Sequence, residues 1–481
     1  RCKVTRSMSH LVFAIILLLL VVGSVWFHLW SPWYLTELAS NWSTIDLTLD
    51  ITFVVCGIVF IVINAFMAYC VWKYRYNPEK RAEYQPEDKR LEVWLTSITA
   101  VGVAAMLTPG LIVWADFVTP PEGADEVEVT SQQWHWGFRL PGEDGEFGAV
   151  ESRYVSEDNP FGMERDDPKG QDDVLIYDST IHVPKDRPQK MWLRSKDVLH
   201  NFAVAQFRVK MDMVPGLVSY LWFTPTRTGN FEILCMELCG VAHHTMRGMV
   251  IVDEQEDYDA WLAEQPTYAE ILAKPPGDAV AGQAGYMVCA SCHGQEGEGN
   301  QQLNAPKLAG QEHWYLRRQL EYFKTGVRGS NPGDIYGMAM GPMANTMTTD
   351  QAVEDVIAYI ETFPDEPTEK TVVGDIENGK DIYTTCAVCH GQKGEGYAFM
   401  NAPRQAGLND WYMVTQLKNF RSRVRGAHSD DAYGMQMNMM AAILNSDKQI
   451  NDVVAYINSL EADLLKANDQ EEVIASINGV K

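Results

Sequence analysis

The sequence predicts a multi-domain protein in which a helical membrane anchor is followed by a β-sandwich and then by two copies of one repeated domain. Three observations support this fold class. Apolar stretches fill the first 120 residues, short runs of alternating hydrophobicity follow, and the last part of the chain repeats itself at an offset of 97 residues. A chain of 481 residues is too long for one hydrophobic core. The net charge of −25 makes nucleic acid an unsuitable partner.

Residues 1–120 are predicted to form a membrane anchor with three transmembrane helices. Each apolar stretch has about 20 residues, enough at a rise of ~1.5 Å per residue to cross a ~30 Å hydrocarbon core. The stretches are 11–30, 51–72 and 95–117. The first is predicted to be retained rather than cleaved as a signal peptide, because its apolar part is long and no small-x-small cleavage site follows.

Basic residues predict the orientation of the anchor. Lys and Arg precede the first stretch and fill the loop 73–90, whereas the loop 31–50 has none. Positive residues stay on the inner side of a membrane, so the N-terminus and the loop 73–90 are expected inside. Everything after Phe117 is then outside, in the periplasm or its equivalent.

Residues 124–254 are predicted to form the β-sandwich. Hydrophobic and polar residues alternate in short runs, as expected for strands with one buried face. Clusters of Gly, Pro and Asp separate the runs, which is typical of a sandwich of short strands. The runs begin at Val127, Val174, Ile181, Met191 and Met249.

One short segment of this domain contains a set of soft metal ligands, namely Cys235, Cys239, His243 and Met246. Thiolate, thioether and imidazole together favour copper over magnesium or calcium. Two thiolates can bridge two copper ions if a second imidazole is supplied, and His200 is well placed to supply it. A structural zinc site is the alternative, disfavoured because Met is a poor zinc ligand.

The pattern C-x-E-x-C-G-x-x-H-x-x-M, preceded by D-V-L-H at residues 197–200, closely resembles the binuclear copper (CuA) site of cytochrome c oxidase subunit II. The resemblance implies a cupredoxin-like fold. The implied metal ligands are His200, Cys235, Glu237, Cys239, His243 and Met246. In this set Met246 and the backbone carbonyl of Glu237 are weak ligands. The carboxylate of Glu237 is also implied to help hold a Mg²⁺ ion against subunit I.

Three further features match the same family. The run Ser131–Phe138 resembles its aromatic patch, which implies that Trp134 passes electrons to the copper pair. Glu92 opens the third apolar stretch and resembles a carboxylate at the mouth of a proton channel into subunit I. The alternative for Glu92 is an interfacial carboxylate favoured by the helix dipole. The segment Lys210–Gly216 is implied to shape the interface with subunit I.

The last part of the chain carries two CxxCH motifs. They are Cys289-Ala-Ser-Cys292-His293 and Cys386-Ala-Val-Cys389-His390. This motif attaches c-type haem through two thioethers and supplies His as an iron ligand. The same offset relates other pairs, which indicates a duplication: Tyr286 and Tyr383, Pro306 and Pro403, Gly310 and Gly407, Trp314-Tyr315 and Trp411-Tyr412, Gln319-Leu320 and Gln416-Leu417, and Tyr359 and Tyr456.

A Met-rich loop is predicted in each copy to supply the second axial iron ligand. The surrounding pattern resembles periplasmic two-haem class I cytochromes c, which are all-α, and their ligand spacing selects Met343 and Met440. Met340 and Met437 are the alternatives. The two cytochrome c domains are predicted over 278–365 and 371–462, after an acidic, Pro-containing linker at 255–277 and before a tail at 463–481.

Together these resemblances imply a caa-type oxidase subunit II fused to a two-haem cytochrome c. Electrons are expected to pass from a soluble cytochrome c or a quinol-oxidising complex, through two haems c, to CuA. Subunit I, working with the other oxidase subunits, would then reduce O₂ and pump protons, since this chain has no oxygen-reducing site of its own. The expected location is the bacterial inner membrane, with lipid around the anchor and the copper and haem domains on the periplasmic side. The alternatives are a CuA-containing nitric oxide reductase subunit and a stand-alone, membrane-anchored electron carrier.

Overall fold

The computed structural model describes residues 2–31, 36–75, 77, 79–81, 83–156, 159–428 and 430–460. The tail predicted at 463–481 lies outside the described residues. The described chain contains the three parts expected from the sequence, namely long apolar helices, a β-sandwich and helical domains, so the predicted fold class is confirmed.

Three long helices form the anchor, and each contains one of the predicted apolar stretches. The bounds are Cys2–Trp30 for α1, Ser43–Lys73 for α2 and Lys89–Phe117 for α3. All three are long and apolar enough to cross a membrane. The side chain of Asp88 accepts hydrogen bonds from two backbone amides of the first turn of α3 and so fixes where that helix begins.

The β-domain (residues 125–253) is a sandwich of two sheets. Its strands are β1 Asp125–Gln132, β2 His135–Leu140, β3 Val174–Ile176, β4 Thr180–Pro184, β5 Gln189–Ser195, β6 His200–Val204, β7 Val209–Met213, β8 Ser219–Phe223, β9 Gly229–Cys235 and β10 Arg247–Asp253. One sheet has the order β3-β2-β1-β5-β8 and the other β4-β10-β9-β6-β7. The core between them contains Val129, Trp136, Phe202 and Ile233, all fully buried.

Contacts at the end of the anchor hold the β-domain in place. The indole N–H of Trp42 donates to the backbone carbonyl of Trp222 at 3.0 Å, and the two rings pack edge to face. The guanidinium of Arg208 pairs with the carboxylate of Asp46 at 2.6 Å. Aromatic packing and a mostly buried ion pair therefore connect the second membrane helix to the sandwich.

The segment predicted as a linker is folded against the β-domain. It contains α4 Gln255–Ala263 and α5 Tyr268–Leu272. Trp261 stacks on His182 with ring centroids 4.5 Å apart, and Tyr268 is 1% exposed. The segment that joins the β-domain to the helical domains is therefore packed against the β-domain over much of its length.

Two similar helical domains follow. The first (residues 279–363) has α6 Ala279–His293, α7 His313–Thr325, α8 Ile335–Ala344 and α9 Asp350–Ile360, and the second (residues 376–460) has α10 Ile376–His390, α11 Asp410–Arg421, α12 Ala432–Ala441 and α13 over 447–460. Helix α9 buries Val353, Val356, Ile357 and Ile360, the i, i+3, i+4, i+7 pattern of an amphipathic helix. Helix α6 crosses it where Gly282 allows a close backbone approach.

Candidate metal centre and haem pockets

The alternation of β9 places the first thiol of the predicted copper site. Phe231, Ile233 and Cys235 are the buried residues of this strand, because every second side chain points into the core. The chain then turns back towards β10 through a loop that carries Cys239 and His243.

All the predicted metal ligands converge at this turn. The ligand atoms of His200, Cys235 and Cys239 lie within 4.8 Å of one another, and all three side chains are buried. The two sulfurs are 3.7 Å apart. The remaining predicted ligands are reached from them: His243 Nδ1 lies 3.4 Å and Met246 Sδ 3.9 Å from Cys239 Sγ, and the backbone oxygen of Glu237 lies 3.2 Å from Cys235 Sγ.

The two thiols titrate as a coupled pair. A hydrogen bond from Cys239 lowers the pKa of Cys235 to about 3, and the same bond raises the pKa of Cys239 well above its ordinary value. Only one thiolate is therefore favoured in the absence of a cation. Both become thiolates when bound cations displace the remaining proton, so this donor set fits a site for positive ions.

His200 is held in one tautomer by a carboxylate. Asp197 Oδ1 lies 2.8 Å from His200 Nε2, and a carboxylate accepts, so Nε2 carries the hydrogen. Nδ1 is then the nitrogen that faces Cys235, 3.9 Å from its Sγ, and is the one available to a metal ion. Burial lowers the pKa of His200, but the hydrogen bonds to Asp197 and Cys235 outweigh it, and the net shift is upward. A carboxylate behind a ligating imidazole is a common feature of metal sites.

Trp134 lies directly against the thiol loop. Its indole N–H donates to the backbone oxygen of Cys239 at 3.2 Å, and the side-chain amide of Gln133 donates to the same oxygen at 2.6 Å. Gly240 permits this contact. It has φ +125°, and a Cβ there would lie 3.0 Å from the indole of Trp134. The residue predicted to pass electrons to the copper pair is thus one hydrogen bond from a predicted ligand.

Each CxxCH motif lies in the last turn of a helix, α6 or α10. His293 Nδ1 is 2.7 Å from the carbonyl of Pro306, and His390 Nδ1 is 2.7 Å from that of Pro403. A carbonyl only accepts, so Nδ1 carries the hydrogen and Nε2 keeps its lone pair. Burial lowers the pKa of both rings, to about 4 for His390, which keeps them neutral near pH 7.

One continuous apolar cavity is lined by both motifs and by residues of both helical domains. Its lining includes the predicted axial ligands Met343 and Met440 and the alternatives Met340 and Met437. The Met-rich segments are helices α8 and α12 rather than the predicted loops. The reason is local: Met and Ala favour helix, and an aspartate caps the first turn of each.

Two arginines cross between the helical domains beside this cavity. Arg328 donates to Tyr412 and to Gln416 of the second domain, at 2.7 and 3.3 Å. Arg425 donates to Tyr315 and Gln319 of the first domain, at 2.9 and 2.8 Å. Arg328 Nε is buried without a hydrogen-bond partner among the described residues. A buried cationic donor facing the cavity fits a ligand that carries carboxylates, as haem does.

Two predicted site residues have carboxylate side chains that are not fully buried. Glu92 is exposed in the first turn of α3, and the 25 residues from there to Phe117 correspond to about 38 Å of helix. The side chain of Glu237 is half-buried and lies between two exposed residues, Met236 and Leu238.

Sequence reasoning missed several residues of these sites. Asp197 is the first residue of the motif D-V-L-H that ends at His200, so its hydrogen bond to His200 could have been predicted. The arginine pair obeys the 97-residue offset, and comparing the two copies position by position would have found it. Gln133 carries no comparable signal, because its contact depends on how β1 and β2 meet the thiol loop.

Three segments of the chain match known protein families. The family description "Cytochrome C oxidase subunit II, periplasmic domain" matches residues 126–254, and the description "Cytochrome c" matches residues 279–364 and 376–461. The chain is 54% identical over 261 residues to the alternative cytochrome c oxidase subunit 2 of Bradyrhizobium diazoefficiens, covering 54% of this chain and 94% of that protein.

Similarity also extends to cytochromes c4. The chain is 33% identical over 205 residues to cytochrome c4 of Azotobacter vinelandii, covering 39% of this chain and 92% of that protein. Among solved structures, reduced recombinant cytochrome c4 of Pseudomonas stutzeri shares 31% sequence identity, with a TM-score of 0.31, over 38% of this chain and 97% of that chain.

The anchor, the β-domain with its thiol cluster and the two CxxCH domains define a membrane-anchored electron-transfer protein. The extent of the match to curated subunits makes the assignment more specific. The chain belongs to the cytochrome c oxidase subunit II family and carries two additional cytochrome c domains, which confirms the resemblance found in the sequence. It is thus related to a subunit of cytochrome c oxidase, an oxidoreductase, and is consistent with electron delivery into such a complex.

Proposed function

We propose that this chain carries electrons from a donor through two haems c to a binuclear copper centre and on to subunit I, where O₂ is reduced and protons are pumped. The observation that carries the proposal is the convergence of two thiols, two imidazoles and one thioether on one small volume of the β-domain. The same chain supplies two neutral, oriented histidines beside paired cysteines.

The thiol cluster fits a copper pair. Cys235 and Cys239 are 3.7 Å apart, too far for a disulfide of ~2 Å and close enough to share two ions. His200 and His243 would each hold one copper, with Met246 and the carbonyl of Glu237 as weak ligands. A copper pair held by these residues would supply one-electron exchange. The protein holds the ligands in place and keeps water out of the site.

The helical domains fit haem c. In each domain two cysteines would bind the edge of the porphyrin, and one histidine would bind the iron. Each haem would carry one electron at a time. Met343 and Met440 are proposed as the second iron ligands, with Met340 and Met437 as the alternatives, because all four side chains line the cavity. The crossing arginines place positive charge where haem carboxylates are expected.

The contact with subunit I is proposed at the outer side of the thiol loop. Met236 and Leu238 are 56% and 81% exposed, and Leu217, next to the segment Lys210–Gly216, is 63% exposed. Exposed apolar residues of this kind mark an interaction surface. Glu237 stands among them, where its carboxylate would help to hold Mg²⁺ against the partner.

The location proposed is the bacterial inner membrane, with three spanning helices and the β-domain and helical domains on the periplasmic side. Three apolar helices and the distribution of Lys and Arg support it. Glu92, on the inner side, is proposed to stand at the mouth of a proton channel of subunit I. Its exposed side chain at the start of α3 supports a contact outside this chain.

The test is a metal and haem count on the full chain in its purified complex, with optical and electron paramagnetic resonance spectra. We expect two copper atoms with a mixed-valence signal and two low-spin haems c. The variant Cys239→Ser should lose the copper and keep both haems. Zinc, a single copper or a disulfide between Cys235 and Cys239 in fully loaded material would contradict the proposal. Turnover of nitric oxide without O₂ uptake would redirect it to a different terminal acceptor.

A further inference from the structure

The second helical domain touches the β-domain at the residues around Trp134. Helix α12 supplies two polar contacts. Gln436 Nε2 donates to the backbone oxygen of Trp134 at 3.0 Å, and the Tyr433 hydroxyl lies 3.1 Å from His135 Nδ1, with the two rings 5.4 Å apart. Trp134 in turn donates to the thiol loop. A chain of direct contacts therefore leads from α12 to a proposed copper ligand.

A cysteine of the second haem motif is part of the same contact. Cys389 packs against the apolar core of the β-domain, the cluster that includes Trp134 and Cys239. Because the cysteines of CxxCH bond to the rim of the porphyrin, a haem held by Cys389 would be attached on the side of the second domain that contacts the β-domain.

The duplication provides an internal comparison. The residues of the first domain at the corresponding positions are open to solvent: Cys292 is exposed, and Tyr336 is 54% exposed. The position of Gln436 is occupied by Ala339, which is also exposed. Ile335, beside them, is 72% exposed. The surface that the second domain uses to contact the β-domain is therefore uncovered in the first.

The shared cavity supports electron transfer between the two helical domains. Both CxxCH histidines line it, and the crossing arginines hold its two halves together. Two haems held in this one cavity would exchange electrons without a separate docking step.

We propose that electrons enter the chain at the first helical domain and leave it only from the second, through the contact of Tyr433 and Gln436 with the segment of Trp134. This order rests on the proposed function, since it requires copper in the β-domain and haem in both helical domains. Each electron that crosses oxidises the second haem by one unit and reduces the copper pair by one unit. An outside donor, a reduced c-type cytochrome, replaces it through the first domain. Tyr433 and Gln436 are positioning residues.

The test measures two steps separately in the anaerobic, full-length complex. Reduction of the haems by an added, reduced, soluble c-type cytochrome reports the first step. Reduction of the copper after a flash-induced electron has reached the haems, seen in the near-infrared, reports the second. The variants are Gln436→Arg and, at the repeat-equivalent position, Ala339→Arg. Haem content and the resonance spectrum of the copper verify that each variant is folded and loaded.

We expect opposite effects from the two variants. Gln436→Arg should slow the second step about tenfold, equivalent to ~1.4 kcal/mol, and leave the first unchanged. Ala339→Arg should slow the first step by a similar factor and leave the second unchanged. Gln436→Ala introduces the residue that the first domain has at this position and removes one hydrogen bond. It should therefore slow the second step about fivefold.

The results that would overturn this order are equally distinct. If Ala339→Arg slows copper reduction, or if both variants slow it equally, the first domain also delivers electrons to the β-domain. If copper reduction is normal in Gln436→Arg and Gln436→Ala, the contact does not carry the electron. In each of these cases wild-type copper is present and reducible, so the proposed function stands. Wild-type complex without copper in the β-domain would overturn both.

Discussion

Replacing Asp197 by Asn should weaken copper binding without removing any ligand. The carboxylate accepts from His200 Nε2 at 2.8 Å and from the backbone amides of Gln133 and Val198 at 2.6 and 2.7 Å. An amide has one acceptor oxygen in place of two. Whichever way it is turned, its NH₂ group faces one of these donors, and a buried donor loses its partner.

The magnitude follows from the position of Asp197 behind a ligand. Changing the carboxylate behind a ligating His costs about 10- to 100-fold in metal affinity, which corresponds to ~1.4 to 2.7 kcal/mol. A lost hydrogen bond to a charged group costs a similar ~1.5 to 3 kcal/mol. We therefore expect Asp197→Asn to bind copper at least tenfold more weakly, with a changed resonance spectrum, because His200 is no longer held in one tautomer.

The assay is a competition titration of the full chain with a copper chelator. Asp253→Asn is the matched control, because Asp253 pairs with His182 at 2.5 Å in the same domain, outside the thiol cluster. The control should lose stability and keep its copper affinity. Equal copper affinity and an unchanged spectrum in Asp197→Asn would refute the reasoning, as would an equal loss of affinity in the control.

Three other predictions follow. Met246→Leu should keep both coppers and shift the reduction potential of the site, measured by redox titration, since a weak ligand tunes a metal more than it holds it; loss of the copper would show that the thioether is a principal ligand. Gly282→Ala should destabilise the first helical domain by about 1 to 3 kcal/mol in thermal unfolding, because a Cβ would lie 1.8 Å from a backbone oxygen of α9. Gly341→Ala, with its nearest contact at 3.4 Å, should be tolerated, and equal melting of the two variants would contradict this account. Asp410 is buried, but the hydrogen bonds that it accepts outweigh the effect of burial and lower its pKa. Its contribution to the stability of the second domain is therefore complete above its unfolded pKa of about 4. That contribution is lost as the pH falls through the lower pKa of the folded state. Asp410→Asn should therefore lower the melting temperature at pH 7 and flatten its decline in acid; an unchanged pH profile would count against it.

The ligand cluster was predictable because the ligands are close in sequence. Cys235, Cys239, His243 and Met246 fall within twelve residues, and one strand and one turn are enough to bring them together. His200 lies 35 residues before Cys235, so spacing alone connects it to the others less directly, and the resemblance to a known family supported its inclusion. The structure adds the reason, since β6 and β9 are paired in one sheet.

The arrangement of the domains was beyond sequence reasoning. The 97-residue offset shows that the two helical domains are copies, and copies carry no information on which one contacts the β-domain. Gln436 is the position where the copies differ at that contact, but its meaning is clear only beside Trp134. The linker was similarly ambiguous. Its prolines and acidic residues are typical of a tether, whereas Trp261 and Tyr268 attach it to the β-domain.

The reciprocal hydrogen bonds of Arg328 and Arg425 have a consequence for how such a chain changes over time. Each copy covers a guanidinium of the other, so deleting either one would expose that guanidinium and the apolar lining of the shared cavity to water. A doubling of this kind is therefore hard to reverse.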